Sequence, residues 1–203
     1  MDKLGMIRGW PEKANFRREL LFTLAAAAFG LLLGYIAKAA DSVSIIGDIG
    51  TELGVWVFIV TMIAAFSLRP LFAAINAPAF LLSMLLSYYL YGQLVLGFFP
   101  KAYFMGWLVI ALISPIGGFV VWFSRGKGII ANICAALPVS VLLACGYPAV
   151  YTHNPVYIIE LVFAVVMLLV LPKTWKGRAV TTGVAAVFAI IIVQSRLISF
   201  LPW

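Results

Sequence analysis

The sequence contains few charged residues. They make up 10% of its 203 residues, whereas soluble domains contain about 25%. Hydrophobic residues make up 65%, and the mean hydropathy is +1.12. This composition excludes a water-soluble fold and predicts a chain that lies in a membrane.

Residues with reactive side chains are also scarce. His153 is the only histidine, so a zinc site of the HExxH type has no ligands. There is no GxSxG nucleophile motif, no P-loop and no Cys-x-x-Cys pair. Cys134 and Cys145 lie about 16 Å apart along one predicted helix, which is too far for a disulfide. We therefore expect no catalytic residues, no metal site, no cofactor and no enzymatic activity.

Seven apolar runs predict an all-α, polytopic membrane helix bundle. At about 20 residues per span, the chain has room for seven or eight transmembrane helices with short loops. We expect a single membrane domain over residues 1–203, in which a basic segment, residues 1–19, precedes the first span. The predicted spans cover residues 20–39, 51–68, 74–96, 102–123, 129–147, 155–171 and 179–200.

The positions of the basic residues predict the orientation, because cytoplasmic loops of membrane proteins are rich in Lys and Arg. With the N-terminus in the cytoplasm, eleven of the 14 basic residues fall on the cytoplasmic side. The other three, Lys38, Lys101 and Arg196, fall at or inside the outer ends of spans. The sequence therefore predicts a cytoplasmic N-terminus and an external C-terminus, in a multi-pass protein of the inner (plasma) membrane.

The segment Ala37-Lys38-Ala39 resembles the cleavage site of a secretory signal peptide. The apolar region before it, Leu20 to Ile36, is longer than the about 7 to 15 residues of a signal peptide. We therefore expect the first helix to remain as an uncleaved span.

Polar residues inside the spans predict a binding cavity that opens to the outside. Such groups are costly in hydrocarbon unless they face protein or water. We expect Glu160 and Arg196, at similar predicted depths, to face one another or to share the cavity. The alternative is structural, with the tyrosines in an interfacial aromatic belt. The two charges would then form an ion pair, or Arg196 would extend to the lipid head groups. The predicted set comprises Tyr88, Tyr89, Gln93, Glu160, Gln194 and Arg196.

Small residues at four-residue spacing predict close contacts between helices. The first span carries Ala26, Gly30 and Gly34, and the fourth carries Ser114 and Gly118. The pattern is typical of packing inside one bundle. It also suits the docking of another subunit on the first span.

Two local patterns predict smaller features. Asn76 and Asn132 lie near the inner ends of the third and fifth spans, where we expect them to cap helices. In the outer loop, Ile45, Ile49 and Leu53 fall on one face of a short helix that would lie on the membrane surface.

These features predict a protein that binds or transports a small solute through an outward-facing polar cavity. The alternative is a non-catalytic accessory or scaffold subunit that docks through the small residues of the first span. The expected partners are the lipid bilayer, a small-molecule ligand, and a partner membrane subunit or a second copy of the chain. Nucleic acid is not expected, because most of the basic residues behind the net charge of +7 belong to cytoplasmic loops.

Overall fold

The computed structural model describes residues 3–9, 15–41 and 43–195, and this part of the chain forms nine α-helices and no strand. Two short 3-10 turns, Phe123–Arg125 and Tyr147–Val150, extend α6 and α7. The helices are α1 (Lys3–Ile7), α2 (Phe16–Ala39), α3 (Ser44–Thr51), α4 (Leu53–Phe66), α5 (Pro70–Val95), α6 (Lys101–Trp122), α7 (Gly128–Gly146), α8 (Pro155–Val170) and α9 (Trp175–Gln194).

Five described helices are long and apolar enough to cross a membrane, namely α2, α5, α6, α7 and α9. The other two apolar helices, α4 and α8, have 14 and 16 residues. At 1.5 Å per residue they are about 21 and 24 Å long, shorter than the hydrocarbon core of about 30 Å. The predicted all-α class is confirmed for the described residues, and the fold is compatible with a membrane helical bundle.

Several helices begin or end away from their predicted positions. Pro70 starts α5 four residues before the predicted start, because proline fits the first position of a helix. Thr174 caps α9 by accepting a hydrogen bond from the backbone N–H of Gly177, so α9 begins at Trp175 and not at residue 179. The segment predicted to form a short helix is helical as α3, although Leu53 belongs to α4, and its position on the membrane surface stays a prediction. The predicted end of the last span lies beyond the described residues.

Helices α2 and α5 run parallel and pack along their length. At one end, Glu19 of α2 forms an ion pair with Arg69, which immediately precedes α5. Towards the other end, the rings of Tyr35 and Tyr91 meet edge to face, with centroids 5.2 Å apart. Because α2 and α5 begin at the same end of the bundle, α3 and α4 return the chain between them.

Helices α7 and α9 form a second parallel pair. The Thr181 hydroxyl donates to the carbonyl of Asn132, at 3.3 Å. The two helices can approach closely because α9 carries small buried residues, namely Gly177, Thr181, Ala185 and Ala189. Helix α8 returns the chain between them.

Helix α4 lies at the centre and contacts α5, α6, α7 and α8. The rings of Phe58 on α4 and Phe163 on α8 stack with centroids 4.2 Å apart. The chain therefore forms two three-helix units, α2–α4–α5 and α7–α8–α9, joined by α6. One end of the bundle is where α2, α5, α7 and α9 begin. We call it the basic end, because Arg69, Arg125 and Lys127 lie there, and we call the other the opposite end.

Candidate functional site

A cavity of about 290 Å³ lies at the opposite end of the bundle. Its walls are formed by the end of α2, the junction of α3 and α4, the end of α5 and the start of α6. Half of its twelve lining residues are aromatic, namely Trp56, Tyr88, Tyr89, Phe98, Tyr103 and Trp107. We name it the aromatic cavity.

Local contacts hold these rings in place. The Trp56 indole N–H donates to the carbonyl of Gly50, at 3.0 Å, which ties α4 to α3. Tyr89 is buried, and its ring meets that of Phe104 edge to face, with centroids 5.2 Å apart. The preceding residue of α5, Tyr88, is rotated by about 100° around the helix axis, and its ring faces Lys38 at the end of α2. Rings fixed in this way present a rigid apolar surface.

One charged side chain is among the described residues that line the aromatic cavity, that of Lys38. Its Nζ atom lies 4.9 Å from the centroid of the Tyr88 ring. The same atom forms an ion pair with Asp41, at 2.5 Å from Oδ2. An ammonium group has three N–H donors, so Lys38 can also donate to a molecule in the cavity.

The structure separates most of the polar residues predicted to form one cavity. Tyr88 and Tyr89 line the aromatic cavity, whereas Gln93 is exposed on α5 and is not part of the lining. Glu160 is buried between α8 and α4, and Gln194 is exposed at the end of α9. Arg196 lies outside the described residues, so its contact with Glu160 stays a prediction.

Glu160 is completely buried, and its carboxylate meets the N-terminus of α4. Oε1 accepts a hydrogen bond from the backbone N–H of Gly54, at 3.1 Å. Oε2 has no hydrogen-bond partner among the described residues. The carboxylate approaches closely because residue 54 is a glycine, and a Cβ atom there would displace Oε1.

At the basic end, a polar network that the sequence did not predict joins α2 to α5. Glu19 is buried and accepts two hydrogen bonds from the guanidinium of Arg69. Asn76 lies inside α5, where its amide donates to Ser67 Oγ at 2.9 Å and accepts from Thr23 at 2.5 Å. The predicted cap at Asn76 is therefore wrong, because α5 begins six residues earlier at Pro70. The predicted cap at Asn132 is also wrong, because Asn132 lies within α7, four residues after its first residue, Gly128.

Arg8 follows α1 and contacts the ends of two other helices at the basic end. Its Nη1 atom donates to the carbonyls of Ala65 and Trp122, near the ends of α4 and α6. The guanidinium also lies 4.0 Å from the centroid of the Trp122 ring. Burial and, secondarily, the charge of Arg125 lower the pKa of Arg8 to about 10, so the side chain is protonated at neutral pH. The basic segment before the first span thus includes a residue that binds helix ends.

The small residues of the first span pack inside the chain. Ala26, Gly30 and Gly34 are buried on the side of α2 that faces α5. A Cβ atom at Gly34 would overlap the backbone carbonyl of Met84. A partner subunit could not use this face while α5 covers it.

The small residues of the fourth span have two different surroundings. Gly118 packs against the backbone of Ala73 in α5. Ser114 donates to the carbonyl of Ala111 in its own helix, at 2.7 Å. Ser114 also lines a second cavity, of about 660 Å³, between α4, α5, α6, α7 and α9. Most of the residues that line this cavity are apolar.

The helices and the aromatic cavity together define a class, that of membrane-embedded helical proteins with a small-molecule-sized cavity at one end of the bundle. Comparison with protein-family models, with characterised proteins and with solved structures found no match for this chain.

Proposed function

We propose that the protein binds a small molecule with a flat apolar body in the aromatic cavity, and transports it across the plasma membrane. The observation that carries this proposal is a cavity lined by six aromatic residues with the ammonium group of Lys38 on its wall. Rigid aromatic surface and one well-placed polar group are typical of sites for small organic ligands.

The cavity limits the size and chemistry of the ligand. Its volume of about 290 Å³ is at the lower end of the range for ligand sites, about 300 to 1,000 Å³. The ring faces favour a planar, apolar molecule. A carboxylate on that molecule would accept a hydrogen bond from Lys38, whose ion pair with Asp41 occupies one of the three N–H groups.

The proposal includes seven membrane crossings, with the basic end in the cytoplasm and the aromatic cavity outside. Cytoplasmic loops are rich in Lys and Arg, and Arg69, Arg125 and Lys127 share the basic end. The two parallel pairs support the crossings by α4 and α8, because each short helix returns the chain between helices that start at the same end. The N-terminus is then cytoplasmic and the C-terminus external.

The two three-helix units support transport. Parallel repeats occur in several transporter folds, in which one repeat moves against the other. Helix α4 contacts α7 and α8 of the second unit, and it lines the aromatic cavity through Trp56. A movement of one unit against the other would therefore change the cavity.

Calorimetry on the protein in lipid nanodiscs tests the binding step, with 1-naphthoate as the probe. We expect saturable binding to the wild type and at least tenfold weaker binding to Leu85→Trp, because Leu85 lines the cavity and the larger side chain would fill it. Leu86→Trp is the matched control, since Leu86 is 54% exposed on the outer face of α5. Equal binding to the three proteins, or no saturable binding to the wild type, would contradict the proposal.

A second comparison tests the role of Lys38. We expect Lys38→Gln to weaken binding of 1-naphthoate more than binding of 1-naphthol, because the neutral probe has no carboxylate to pair with the ammonium group. Equal losses for the two probes would show that Lys38 contributes only to packing of the cavity wall.

A further inference from the structure

Two carboxyl groups are buried among the described residues, and their surroundings differ. Glu19 pairs with the guanidinium of Arg69. Glu160 forms no ion pair with a described residue, and its Oε2 atom has no hydrogen-bond partner there. A charged side chain inside a membrane domain is costly without a partner, and such residues often take part in proton or ion movement.

The groups around Glu160 are acidic or neutral. Helix α4 presents the backbone N–H of Gly54, and Glu52 lies two residues earlier at the junction with α3. Asp48 on α3 adds a second acidic group near Glu52, and α7 contributes the thiol of Cys145. With no described cation to compensate, a negative charge on Glu160 would be repelled by the one on Glu52. A proton on either carboxyl group removes that repulsion.

We propose that Glu160 is a proton-binding site whose occupancy changes when a ligand enters the aromatic cavity. This inference rests on the proposed ligand site. The O–H bond of the Glu160 carboxyl breaks, the proton passes to the carboxylate of Glu52, and from there it reaches water at the opposite end. Glu52 suits this role because it is half-buried, whereas Glu160 is fully buried.

The first turn of α4 connects the two sites. Gly54 holds Oε1 of Glu160, and Trp56, two residues later, lines the aromatic cavity. Trp56 is also bound to Gly50, another residue of the cavity wall. Because Trp56 belongs to the first turn of α4, a ligand that packs on its ring would shift this turn as a unit. The N–H group that stabilises the charged form of Glu160 at this helix N-terminus would shift with it. Ligand binding and proton binding are then coupled, each changing the affinity for the other.

Calorimetry in buffers with different enthalpies of ionisation measures this coupling, because the observed heat depends on the protons exchanged with the buffer. The ligand is 1-naphthol at neutral pH, where it is uncharged. We expect its binding to exchange a fraction of a proton per molecule in the wild type and none in Glu160→Gln. Gln93→Ala changes an exposed polar side chain at the same end that does not line the aromatic cavity, and it should leave the exchange unchanged. Binding without proton exchange in the wild type, or equal exchange in Glu160→Gln, would overturn the inference while leaving the ligand site intact.

Infrared spectroscopy of the ligand-free protein tests the proton site separately. We expect a carboxylic acid band that weakens as the pH is raised and that is missing in Glu160→Gln. Gly54→Ala, which displaces the carboxylate from its N–H donor, should shift the midpoint of this titration. If 1-naphthol does not bind, the ligand site fails, and the band alone decides whether Glu160 binds a proton. A spectrum that is unchanged in both variants would overturn the inference.

Discussion

The ion pair of Glu19 and Arg69 shows how single residues fix the basic end. Glu19 is fully buried, whereas the side chain of Arg69 keeps 30% of its exposure. The pair joins the first turn of α2 to the residue before α5. Two hydrogen bonds in a forked geometry hold the guanidinium and the carboxylate in one relative orientation. The register of α2 against α5 is therefore set at this end by a charged contact.

We expect Glu19→Gln to lower the free energy of unfolding by about 1 to 3 kcal/mol, because the buried amide accepts only one of the two hydrogen bonds from Arg69. Thermal unfolding in detergent, at several ionic strengths, measures the change. Arg17→Gln is the control, since Arg17 is exposed two residues away and its removal should change stability by less than about 0.5 kcal/mol. Equal effects of the two substitutions would mean that the ion pair is not stabilising.

Sequence reasoning identified Glu160 as a buried polar residue but not its surroundings. An acidic residue within an apolar run is visible in the sequence, and its cost in hydrocarbon indicates function. The group that binds it is a backbone N–H of Gly54, 106 residues away. Every residue except proline has a backbone N–H, so this donor cannot be recognised from the residue type in the sequence. Glu19 was missed for another reason, since it was assigned to the basic segment when α2 in fact begins at Phe16.

At the scale of helices, glycine decides how closely α2 approaches α5. We expect Gly34→Ala to lower the free energy of unfolding by about 1 to 3 kcal/mol, because its Cβ atom would overlap the Met84 carbonyl and separate the two helices. The measurement is again thermal unfolding in detergent.

Gly117→Ala in α6 is the matched control for Gly34→Ala. No atom lies within 4 Å of a Cβ atom at Gly117, so the substitution should be neutral or stabilise by up to about 1 kcal/mol through helix propensity. If Gly34→Ala behaved in the same way, the close packing of α2 on α5 would be contradicted.

Helix α1 contributes through Arg8, and its effect can be measured at the helix ends that it binds. We expect Arg8→Gln to cost about 1 to 3 kcal/mol, since a charge-assisted hydrogen bond to the ends of α4 and α6 is lost. Hydrogen exchange should increase near Ala65 and Trp122. Lys176→Gln removes an exposed charge at the same end of the bundle and should leave exchange there unchanged. Protection that is the same in Arg8→Gln and the wild type would exclude this role.

The apolar runs predicted the long helices well, because hydrophobicity sets both their position and their approximate length. Their ends were less accurate where a local residue decided them. Pro70 and Thr174 each start a helix four residues before the hydrophobic run. The aromatic cavity could be predicted only in part, since Tyr88 and Tyr89 stood out as a pair, whereas Trp56 and Trp107 come from other helices. Which helices become neighbours depends on tertiary packing that local patterns do not encode.

Across the whole molecule, the two three-helix units correspond as α2 with α7, α4 with α8, and α5 with α9. Their sequences do not reveal this correspondence, because the same close contact is made in different ways. In the first unit the small residues, Gly30 and Gly34, lie on the first helix of the pair. In the second unit small buried residues lie on both helices of the pair, at Ala131 and Ala136 on α7 and at Gly177 and Ala185 on α9. Parallel packing of the outer helices is thus achieved with different distributions of small residues.

The number of crossings can be tested with single cysteines, because each helix that fails to cross inverts every later loop. The native Cys134 and Cys145 are buried and should not react with a membrane-impermeant maleimide. We expect Asp48→Cys and His153→Cys to be labelled in intact cells. Lys127→Cys and Lys176→Cys should be labelled only after permeabilisation. The four positions are exposed, and they lie in α3, in a loop or at the start of a helix, on alternate sides of the proposed topology.

The pattern of labelling distinguishes the two short helices. If α4 did not cross, Lys127→Cys would be labelled in intact cells and His153→Cys would not, since the orientation of α5 to α9 would be reversed. If only α8 failed to cross, the first three positions would keep their expected sides and Lys176→Cys alone would change. The parallel arrangement of α2 with α5 and of α7 with α9 argues against both outcomes, because in each unit the second long helix begins at the same end as the first.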